Sequence, residues 1–112
     1  MTIISAKSGA TLSKIHQVKT KTVYDTGNAM AVHITLEAGE HLKPHITPVD
    51  VFFYVLEGTP TIEIGDERQV VKADHLVESP AKIKHCLYNE AEQVARILVV
   101  KVPKPTTQTR IL

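Results

Sequence analysis

The sequence predicts an all-β fold, a small sandwich or barrel, and three observations carry that expectation. No window keeps the i, i+3, i+4 apolar spacing that a long helix requires. Short runs of alternating or continuous apolar residues take its place. Between them, turn-forming residues return about every 8 to 15 positions, the rhythm of antiparallel strands joined by tight turns. The 112 residues suffice for one core and are too few for two, so residues 1–112 are read as a single domain.

In chain order, the turn Asp25–Asn28 leads into Ala29–Leu36. There Met30, Val32, Ile34 and Leu36 share one face while Ala29, Ala31, His33 and Thr35 share the other, the pattern of a half-buried strand. Glu37-Ala38-Gly39 ends it. Val51–Leu56 is apolar on both faces, as a strand covered on both sides would be. Gly58-Thr59-Pro60 then turns the chain into a hairpin of Thr61–Ile64 and Glu67–Lys72, closed by Gly65-Asp66. Ser79-Pro80 and Asn89-Glu90 bracket a strand at His85–Tyr88, and the last strand, Val94–Val102, is again apolar on both faces in its middle. A second subunit is the simplest cover for such two-sided strands, so a homodimer is expected. Met1–Ser13 and Pro103–Leu112 carry few packing signals of their own; they are read as frayed tails or as dimerisation arms.

Composition excludes several functions. A net charge of +1 with no clustered Lys/Arg stripe argues against nucleic acid or an anionic membrane as partner, since either needs many neutralised phosphates. No apolar run approaches the ~20 residues of a membrane span, and MTIISAKSG lacks the apolar centre of a secretory signal, so a cytoplasmic location is expected. Cys86 is the single cysteine and has no partner for an internal disulfide. It follows His85 and therefore faces the other side of its strand, where an inert structural thiol is expected. Phosphate loop, CxxC pair and serine elbow are all missing.

Two histidine-bearing stretches remain. Gly39–Gly58 reads GEHLKPHITPVDVFFYVLEG, and Pro80–Asn89 reads PAKIKHCLYN. Together they resemble the two motifs of the cupin superfamily, and they cover roughly half of the chain. In the first motif Gly39 precedes His45 by the usual spacing, and Phe53 to Gly58 closes it. In the second, Asp74 to Asn89, the residues Pro80, His85 and Asn89 match, while Ala73 and Lys82 stand where glycines are usual. The resemblance implies a double-stranded β-helix, the jelly-roll cupin barrel. It also implies a cavity centred on His45 and His85 and lined by Thr47, Val51, Phe53 and Val55.

In such barrels a His-x-His pair on one strand face, a carboxylate and a distant histidine form a mixed site that suits Zn, Ni, Fe, Mn or Cu. Here Thr47 takes the second histidine position and Val51 the carboxylate position. Neither side chain replaces what is lost. His45 and His85 are the expected metal ligands, and two imidazoles imply one divalent metal held only weakly. His41, Asp50, Glu57 and Glu78 are the residues near enough in sequence to complete the set. His41, however, lies about 13 Å along a regular strand from His45, and Asp50 points outward unless a bulge re-aims it. The expected function is small-molecule binding, metal-dependent through His45 and His85, with ligand binding or sensing without tightly bound metal as the alternative. No catalytic residue or reaction follows from the fold alone.

Overall fold

The computed structural model describes residues 1–112, and it is built of strands throughout. In chain order these are β1 (Thr11–Leu12), β2 (Lys19–Asp25), β3 (Met30–Leu36), β4 (His45–Ile46), β5 (Asp50–Glu57), β6 (Thr61–Ile64), β7 (Glu67–Val70), β8 (Leu76–Ser79), β9 (Lys84–Tyr88), β10 (Ala95–Val102) and β11 (Arg110–Ile111). Sheet A has the order β1-β2-β3-β10-β5-β8 and sheet B the order β11-β4-β9-β6-β7, every pairing antiparallel. Strands adjacent in sequence repeatedly fall in opposite sheets, as a jelly roll requires. No helix is long and apolar enough to cross a membrane.

The inner faces follow the period of two. Leu36, Phe53, Val55, Leu87 and Ile97 are fully buried in one core with Ile34, Val51, Ile62, Ala95 and Val99. Burying each large side chain contributes about 1.5–3 kcal/mol. Gly58 ends β5 at φ +80°, and a Cβ there would lie 2.4 Å from the Val94 carbonyl oxygen and 2.8 Å from Ala95 Cα. No other residue fits that approach.

The outer face of β3 differs from the half-buried expectation. Ala31 and His33 are buried there, His33 to 1% exposure. The reason is tertiary: the Arg96 side chain lies across His33, its Nε–H donating to His33 Nε2 at 3.1 Å. The N-terminal segment also folds back, with Lys21 Nζ donating to the carbonyls of Ser5 and Ser8. Both termini join sheets of their own chain, β1 beside β2 and β11 beside β4.

Candidate functional site

Two rows of side chains face each other at one end of the barrel. In sheet A the register aligns Met30, Lys101, Val51 and Ser79, all on the inner face. In sheet B it aligns Ile111, His45, His85 and Ile64. Both imidazoles are buried, at 8% and 2% exposure. Their ring centroids lie 4.4 Å apart, edge to face, and Phe53 packs against His85 at 5.2 Å.

The hydrogen bonds set what each ring can do. His85 uses both nitrogens: Nδ1 lies 2.7 Å from the Ser79 hydroxyl and Nε2 lies 3.1 Å from the Thr47 hydroxyl. His45 donates its Nδ1–H to the Lys43 carbonyl at 2.7 Å. In the neutral ring its Nε2 is then a bare acceptor. His16, from the loop before β2, packs against His45 in a tilted arrangement with centroids 5.1 Å apart, and accepts the Lys43 backbone N–H on Nδ1 at 2.9 Å. Its Nε2 must therefore carry the proton. One residue's peptide groups thus hold two rings in opposite tautomers, one presenting a donor and the other an acceptor. No fully buried side-chain nitrogen or oxygen lacks a partner, so the unpaired Nε2 of His45 opens to solvent.

Burial keeps all three rings neutral at pH 7. It holds His85 down to about 3, assisted by the neighbouring His45 and Lys101, and His16 down to about 4, assisted by His45, Lys43 and Lys101. His45 is lowered by burial too, partly offset by its bond to the Lys43 carbonyl. Lys101 is lowered by burial with no carboxylate to oppose the shift. The five ion pairs of the protein leave Lys101 out.

Of the lining residues expected from sequence, Thr47, Val51 and Phe53 stand with the histidines. Val55 does not. Two pleats deeper on β5, about 13 Å from the level of Val51, it belongs to the closed core. None of the residues considered as a completing ligand joins the site. His41 packs on Tyr88 and bonds the Leu42 carbonyl. Asp50 accepts the Ala81 N–H, Glu57 pairs with Arg96 at 3.3 Å, and Glu78 lies opposite Phe52 on the outer face of sheet A. Cys86 lies opposite His85 on its strand, fully buried, with its S–H directed at the Leu42 carbonyl at 3.1 Å. Burial raises its pKa, which suits an inert thiol.

His16, Ser79 and Lys101 are the members that sequence reasoning did not find. Only Lys101 carried a readable signal, since it shares parity with Ile97 and Val99. His16 comes from a loop, and only the folded chain brings it to His45.

A resident divalent ion does not fit this donor set. No group of three or more His, Cys, Asp or Glu side chains is arranged to hold one, both His85 nitrogens are engaged, and an ammonium group projects beside Val51, where a ligating carboxylate would be needed.

The family model for the cupin domain matches residues 32–101. Among curated proteins, none matches the chain. Among solved structures, the TT1209 protein of Thermus thermophilus is 25% identical, with 84% of this chain and 92% of that one covered at a TM-score of 0.75. The polyketide cyclase RemF from Streptomyces resistomycificus is 17% identical and covers 100% of this chain and 85% of its own at a TM-score of 0.86. An RmlC-like cupin family protein with a double-stranded β-helix fold, from Methanocaldococcus jannaschii, is 21% identical over 92% and 91% of the two chains at a TM-score of 0.78. The two paired motifs, the jelly-roll order of the sheets and the match over residues 32–101 make this chain a member of the cupin family.

Proposed function

We propose that this cupin binds a small organic molecule at the end of the barrel beside His45 and His85, and that any divalent metal there is held weakly. The observation that carries this reading is the pair of neutral imidazoles facing the row of Lys101, Val51 and Ser79, with the Nε2 of His45 unpaired. His85 is fixed by two hydroxyls and forms the wall of the site. His45 is the ring able to accept a proton or hydrogen bond from a ligand.

Two measurements test this together. Metal analysis by mass spectrometry, on untagged protein purified without chelator, is expected to find far less than one ion per chain. A thermal-shift screen of small organic molecules is expected to give hits that His45→Ala and His85→Ala weaken. A ligand at a hundredfold excess over its Kd stabilises by about 2.7 kcal/mol, which a melting curve resolves easily. One tightly held metal per chain, or hits indifferent to both substitutions, would overturn the proposal.

We also infer a homodimer through the outer face of sheet A. Leu56, Leu76 and Val102 are exposed there beside half-buried Phe52, Tyr54, Leu98 and Val100. This apolar stripe is the surface a second copy would cover.

A further inference from the structure

Lys101 is the residue that a metal-binding reading leaves without a purpose. Its backbone is fixed on both sides, paired with Met30 on β3 and Val51 on β5, so its side chain leaves the sheet on the inner face. It makes no ion pair. It stands in the sheet A row of Val51 and Ser79, which faces the sheet B row of His45 and His85, Ser79 and His85 meeting across the barrel at 2.7 Å. A partly buried ammonium without a counter-charge is costly unless an anion arrives to neutralise it. The nearest carboxylates on this part of sheet A, Asp50 and Glu78, leave by the opposite face.

We propose that this end of the barrel is a carboxylate site, in which Lys101 and the Nε2–H of His16 hold the anion of a small organic acid, while the Nε2 lone pair of His45 accepts from a hydroxyl on the same ligand. The assignment rests on the small-molecule reading of the same site and narrows it to a class. Two donors of different kinds match the two oxygens of a carboxylate, and charge-assisted bonds are the strong ones. Met30 and Val51, in register with Lys101, and Phe53, packed on His85, give the site an apolar side suited to the carbon skeleton of such an acid. Small 2-hydroxy acids present an anion and an adjacent hydroxyl in this relation.

The test uses the full chain and two probes, glycolate and its neutral counterpart glycolamide, followed by long-range proton–nitrogen NMR of the imidazoles. Glycolate is expected to shift the His16 and His45 signals saturably, and glycolamide to bind at least roughly tenfold more weakly. Lys101→Met is expected to cost glycolate a similar factor and Lys101→Arg to retain most of it. His16→Gln, on a loop, supplies a second variant and is expected to weaken glycolate severalfold. Equal binding of the two probes, or of glycolate to the natural chain and to both Lys101→Met and His16→Gln, overturns the carboxylate assignment and leaves the small-molecule site standing. If neither glycolate nor any molecule of a neutral fragment set moves the His45 and His85 signals, both readings fall.

Discussion

Acid should destabilise this fold through His85, and the effect can be worked out from its surroundings. The ring is 2% exposed and is held neutral down to about 3, whereas in the unfolded chain it titrates near 6.5. The unfolded state therefore binds a proton that the native state refuses. Stability is at its full value above about pH 6.5 and is lost as pH falls toward 3. At pH 5 the unfolded ring is almost wholly protonated, which gives a loss of about 2 kcal/mol relative to pH 7, with a limiting slope near 1.4 kcal/mol per pH unit. Against a typical domain stability of roughly 5–15 kcal/mol that is large. The assay is urea unfolding at several pH values between 7 and 4.5, on the natural protein and on His85→Gln. Half-buried His16 and buried His33 and His45 contribute in both proteins, so the difference in slope isolates the one proton of His85. If the two slopes coincide, the native ring is already protonated near pH 6 and the reasoning fails.

Three further outcomes follow from the same geometry. Gly58→Ala should cost about 2 to 4 kcal/mol, because the new Cβ meets the Val94 carbonyl at 2.4 Å in a left-handed backbone; a melting temperature within a few degrees of the natural protein's would contradict this. Thr47→His with Val51→Glu restores two ligand types, yet Lys101 stands in register with residue 51 and should pair with the new carboxylate. Adding Lys101→Met is therefore expected to raise zinc affinity at least roughly tenfold in calorimetric titration, and no gain from the third change would show that Lys101 does not control the site. Light scattering at micromolar concentration should return twice the chain mass, and Leu76→Lys should shift the balance toward monomer; a monomeric natural protein would end the dimer proposal.

What the sequence determined by itself is whatever depends on neighbours along the chain. Alternation placed β3, β5, β9 and β10 nearly residue for residue, because a strand with one face in a core must repeat every two residues. The same parity put His85 on the inner face and Cys86 on the other. Lys82 in a glycine position was also legible as an oddity. The structure shows it holding the left-handed backbone at φ +67°, its N–H donating to the Thr47 carbonyl, so the turn's shape survives at a cost near 1 kcal/mol. Strands without a strong apolar pattern were not legible: β2 is mostly polar near the sheet edge, and β4 and β11 have two residues each. How His16, Ser79 and Lys101 join His45 and His85 was decided by the tertiary structure. His16 meets His45 only because Lys43 offers its N–H to one ring and its carbonyl to the other. Lys101 stands beside Val51 only because β10 lies between β3 and β5. Spacing within one strand shows which face a side chain takes, but which side chains meet across a barrel is set by strand order and register, contacts between residues far apart in the chain.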